Sequence, residues 1–160
     1  MTTDIDVKRT TPTGRPAVRN LRGLGLSIIG AAATAIYGSY GGPSPSTSQE
    51  HAVPVIVGAD IVIALLAYGL LVPWAARRVN RAAGWGLALS VVGLIAIPIA
   101  FWSGVVVVIA GVGAVLGVYA RRLAADAGRS TALARSATIV GVIALIASTA
   151  LLVLGNTVLA

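Results

Sequence analysis

The chain's 160 residues give room for about one domain, and with 57% of them hydrophobic, 11% charged and a mean hydropathy of +0.91 they depart from a soluble domain, which is about a quarter charged. With no Cys, disulfides, thiolate metal sites, iron–sulfur clusters and thioether haem are excluded, and a lone His, His51, excludes bis-His haem ligation within one subunit. The formal charge of +7 invites a nucleic-acid reading, which the placement of the cations argues against.

Residues 1–22, MTTDIDVKRTTPTGRPAVRNLR, are polar and rich in Thr and Pro, with no apolar period. They read as a disordered, basic cytoplasmic tail. Five apolar stretches follow, at about 23–40, 53–74, 82–101, 104–120 and 137–158. Each has about 17–22 residues, enough to cross a hydrocarbon core ~30 Å thick at ~1.5 Å per residue. At that length only a helix satisfies every backbone N–H and C=O inside the segment. The expected fold class is therefore all-α, a polytopic integral membrane protein whose residues 23–160 form one domain of five transmembrane helices. The long polar region before the first span favours an uncleaved anchor over a signal peptide.

The cations assign an orientation. Lys8, Arg9, Arg15, Arg19 and Arg22 precede the first span. Arg77, Arg78 and Arg81 join the second to the third, and Arg121, Arg122, Arg129 and Arg135 join the fourth to the fifth. The connections GGPSPSTSQEHA and WS, and the C-terminal end, carry none. The positive-inside rule then places the N-terminus in the cytoplasm and the C-terminus outside. The basicity becomes topology, with an added pull toward anionic headgroups on the cytoplasmic side, and nucleic acid is not expected as a partner. Tyr37, Tyr40, Phe101 and Trp102 fall at one boundary and Trp74, Trp85 and Tyr119 at the other, as an interfacial belt requires. Pro98, late in the third span, predicts a kink or early end before the FWSG reversal, so spans three and four are expected to form a close hairpin. The Arg, Ala and Gly bias resembles GC-rich bacterial genomes, which makes a bacterial inner (cytoplasmic) membrane the expected location.

Small residues recur at a spacing of four. In the first span Gly23, Ser27, Ala31, Ala35 and Ser39 form a stripe, with Gly30, Thr34, Gly38 and Gly42 beside it. In the fourth, Gly113 and Gly117 make a GxxxG. Such stripes let helix backbones approach, either within one subunit or against a second copy or another membrane protein. The first span, with two of them, is the candidate for the second use.

Asp60 stands inside the second apolar run. An ionisable side chain near a helix centre costs about 2.5–3.5 kcal/mol. The twelve Ile, Leu and Val residues of that span contribute roughly −4 to −7 kcal/mol, so insertion survives. Asp60 lies ~10 Å from the outer end and ~25 Å along the helix from Arg77, which makes an ion pair within the chain implausible. Three roles remain: a neutral acid hydrogen-bonded for structure, a proton or cation site, or a contact to a cation or donor on another protein. Ala64, Ala67, Tyr68 and Leu71 share its face, with the Tyr68 hydroxyl about two turns deeper, and Ser90, Thr34, Ser148 and Thr149 are polar residues within reach on other spans.

Other chemistry is sparse. Glu50 and His51 in the outer loop are at most two ligands, so no metal site is expected, and no cofactor. There is no H-E-x-x-H, G-x-S-x-G or P-loop and no nucleophile–base pair, so no catalytic residue and no enzyme is expected. Residues 82–155, with GWGLALSVVGLIAI, GVGAVLGVYARR and ARSATIVGVIALI, are similar to small bacterial membrane domains of unknown function, which implies a compact helical domain and carries over no catalytic residue. The leading expectation is a non-catalytic accessory or scaffold subunit, packing through small faces as a homo-oligomer or in a larger membrane complex. The alternative is a small proton- or cation-coupled transporter or channel using Asp60.

Overall fold

The computed structural model describes residues 15–40, 47–100, 103–128 and 132–158, and every regular element in them is helical. The helices are α1 (Arg15–Tyr40), α2 (Thr47–Leu66), a π-turn (Ala67–Leu71) continuing into α3 (Val72–Ala75), α4 (Val79–Ala100), α5 (Val105–Asp126) and α6 (Ala132–Val158). Five stretches are long and apolar enough to cross a membrane: Leu21–Tyr40, His51–Ala75, Val79–Ala100, Val105–Asp126 and Ala132–Gly155.

Several boundaries differ from the sequence reading. The first helix begins at Arg15, so the part of the tail from Arg15 to Arg22 is helical; residues 1–14 lie outside the described residues. Pro16 explains this, since proline is well placed in a first helical turn, where its missing N–H costs nothing. Glu50 and His51 are not in a loop, because α2 begins at Thr47. The run Thr47-Ser48-Gln49-Glu50 has the hydroxyl-x-x-acid pattern of a helix start. Phe101, Trp102 and the loop around Gly42 lie outside the described residues.

The second span is not a continuous α-helix. Pro73 lacks the N–H that would close a bond to the carbonyl four residues back, and the chain widens just before it: the Val72 N–H reaches back five residues to the Ala67 carbonyl. Val53, Asp60, Ala64, Tyr68, Val72 and Ala75 form one buried stripe that runs through the widened turn.

The central helix is α5. Half of its apolar window is buried, against 17–33% for the other four long helices. Helices α4 and α6 press on it through glycine. A Cβ on Gly86 would stand 3.0 Å from the Gly117 nitrogen, one on Gly93 3.1 Å from the Ala110 Cβ, and one on Gly117 2.7 Å from the Thr138 nitrogen. Backbones this close gain dispersion contact over the whole crossing. Ser90 ties the three together, donating within α4 to the Gly86 carbonyl (2.8 Å) and across to the Ala137 carbonyl of α6 (2.9 Å). On the other side α1 and the second span pack on α5 around Ala31, Ala64, Tyr68, Val108, Val112 and Leu116.

The arginines gather at one end. Arg22 and the pair Arg121 and Arg122 both border Val118, and Arg81 lies 4.9 Å over the Trp74 ring, which meets Trp85 edge-on at 6.2 Å. Tyr37 and Tyr40 are at the far end of α1.

Candidate functional site around Asp60

Asp60 and Tyr68, eight residues apart on one face, both turn into the bundle, with 2% and 3% of their surfaces exposed. They do different things. The Tyr68 hydroxyl is 2.7 Å from the Ser27 Oγ of α1, a buried pair in which each oxygen satisfies the other. Gly111 of α5 makes room for it, since a Cβ there would come within 3.0 Å of the Ser27 oxygen. Tyr68 therefore does not serve Asp60. Nor do the other polar residues offered by the sequence. Thr34 and Thr149 bond the carbonyls four residues back in their own helices, Ser90 bonds Gly86 and Ala137, and the buried Ser148 oxygen has no partner among the described residues. Thr34, Ser90 and Thr149 are thus engaged by carbonyls in or beside their own helices, which spacing along a sequence does not reveal.

Both carboxylate oxygens of Asp60 are buried without a hydrogen-bond partner among the described residues. Their neighbourhood is defined by Gly104, the residue that opens α5 with φ +77°. A Cβ placed on Gly104 would lie 2.5 Å from Asp60 Oδ2 and 2.6 Å from the Ala31 carbonyl oxygen. Three elements thus converge: the acid from α2, a main-chain carbonyl from α1, and the head of α5. Glycine is required at the junction twice over, for its left-handed backbone and for the space its missing side chain leaves.

The electrostatics of this junction are divided. The first N–H groups of a helix have no acceptor within it, and Gly104 caps α5 with no side-chain bond, so the α5 head presents partial positive charge to Asp60. The Ala31 oxygen presents partial negative charge to the same carboxylate. A buried carboxylate without direct hydrogen bonds is costly, and half a unit of helix-end charge offsets it only in part. A proton or a small hard cation taken up on Asp60 would relieve that cost. Oxygen-only donors of this kind suit a proton or an alkali or alkaline-earth ion and not a soft metal. No cluster of three or more His, Asp or Glu side chains occurs among the described residues.

The small residues also find their places. Ser27, Ala31 and Ala35 are buried and Gly23 and Ser39 half-buried, on the side of α1 facing Tyr68 and α5. Gly113 and Gly117 lie between α4 and α6. Both stripes are thus occupied by the chain's own helices. The pair that the sequence did not reveal is Ser27 with Tyr68, joined by a side-chain bond across two helices. Comparison with family models, with curated proteins and with solved structures finds no match to this chain.

Proposed function

We propose that this chain is a non-catalytic five-span protein of a bacterial cytoplasmic membrane that takes up a proton or small cation on Asp60, as a small coupled carrier or channel. The N-terminus and the arginine-rich end face the cytoplasm, and the C-terminus and Asp60 lie toward the outside. The carrying observation is that both oxygens of a buried carboxylate lack a hydrogen-bond partner among the described residues, at a junction that also holds a main-chain carbonyl. A purely structural acid would be expected to hold a hydrogen bond, and a contact to another protein would be expected at the surface. Neither describes Asp60. The test is proton and sodium flux in liposomes of wild type and Asp60→Asn. Flux that disappears in a variant with unchanged elution and helix content supports the reading; equal flux in both contradicts it.

The second reading is an accessory subunit. It is supported by the other stripe of α1, where Gly30, Thr34 and Gly38 stay only half-buried and leave a small-residue face beside exposed Ile29, Ile36 and Tyr37. Gly38→Leu that releases a co-purifying membrane protein, with flux absent from wild type, would favour it.

A further inference from the structure

We propose that the groove between α1 and α6 binds one anionic glycerophospholipid, its phosphate on Arg22 and one acyl chain along the floor formed by α5. This inference is independent of Asp60 and uses the opposite end of the bundle. Helices α1 and α6 flank α5 without closing over it, leaving a cavity of about 460 Å³ lined by Arg22, Ala114, Val115, Val118 and Val142 among others. Tyr119 and Thr138 join Arg22 as its polar members, the Thr138 hydroxyl being bonded to the Ala134 carbonyl of its own helix, and the rest of the lining is apolar. A second cavity of about 380 Å³ shares Val118 and is walled by Arg121 and Arg122.

Charge complementarity selects the occupant. Three guanidinium groups border Val118, whereas Asp126 is the one acid among the described residues at this end. Guanidinium pairs with phosphate through two parallel bonds, and each cation at a membrane surface adds to the attraction for anionic lipid. A free phosphate would use the arginines and leave the apolar floor uncovered. A zwitterionic lipid would cover the floor and set its own cation beside the three arginines. An anionic lipid fits both parts.

Native mass spectrometry of the detergent-solubilised full chain, mixed with phosphatidylglycerol or with phosphatidylcholine of the same acyl chains, tests this. Wild type is expected to retain one phosphatidylglycerol in preference to phosphatidylcholine. Arg22→Gln is expected to lower the retained fraction about fivefold. Val142→Trp, at the exposed rim, keeps every charge but fills the groove and is expected to lower it as well. Arg77→Gln, an exposed cation of the α3–α4 connection away from the groove, is expected to leave it unchanged. Equal retention of the two lipids overturns the proposal. So does an Arg77→Gln effect as large as that of Arg22→Gln, which would mean surface charge alone. Retention unaffected by Val142→Trp but abolished by excess inorganic phosphate would identify a free-anion site instead.

Discussion

Gly104 shows how much a single residue can hold in place. Its φ of +77°, and the 2.5–2.6 Å at which an added Cβ would stand from Asp60 Oδ2 and the Ala31 carbonyl oxygen, both exclude a side chain, and Gly104→Ala is expected to destabilise the protein by more than about 2 kcal/mol in reversible unfolding in mixed micelles. Gly58 in α2 has open space where a Cβ would go, so Gly58→Ala is expected to leave stability unchanged or raise it by about 0.5–1 kcal/mol in the same assay. The contrast separates a required glycine from a replaceable one in a chain with 19 glycines, of which the sequence alone cannot say which are packed. The Ser27–Tyr68 bond is worth about 0.6 kcal/mol by the measured range for interhelical bonds in membranes, and Ser27→Ala and Tyr68→Phe are expected to be non-additive by that amount in a double-mutant cycle.

At the scale of elements, apolar length made the five spans legible, because a bilayer demands a near-fixed helix length. Where the membrane makes no such demand, boundaries moved: α1 gained Arg15–Arg22 and α2 gained Thr47–Ala52 as helix beyond the apolar run. The π-turn was less legible, since Pro73 marks a disturbance without specifying whether the chain kinks or widens. The small stripes announced close packing but not its partners. Position in the bundle decided that, and Gly113 met α4 while Gly117 met α6. Gly113→Leu would drive a side chain into the Ser90 nitrogen and the Gly86 carbonyl, so it is expected to cost more than about 3 kcal/mol and to separate α4 from α5, seen as loss of the folded band in the unfolding assay.

At the scale of the whole molecule, the packing brings cations from separate parts of the chain toward one end, since the cavity lined by Arg22 and the cavity lined by Arg121 and Arg122 share Val118. The absence of Cys makes topology easy to measure. Thr3→Cys and Ala160→Cys are expected to react with an impermeant maleimide from opposite sides of sealed vesicles. Asp60 was legible as an anomaly from its apolar surroundings, but its neighbours were not, because Ala31 contributes a main-chain oxygen and Gly104 contributes empty volume, neither of which has a side-chain signature. On the proposed function Asp60 carries an exchangeable proton or cation. A carbodiimide that reacts with neutral carboxylic acids in apolar surroundings, followed by peptide mass mapping, measures this directly. One adduct at Asp60 is expected, formed at low pH, lost as rising pH ionises the acid, and suppressed by the cation that the site binds. An Asp60 that stays unmodified at every pH, in a protein shown to be folded, would contradict the proposed function.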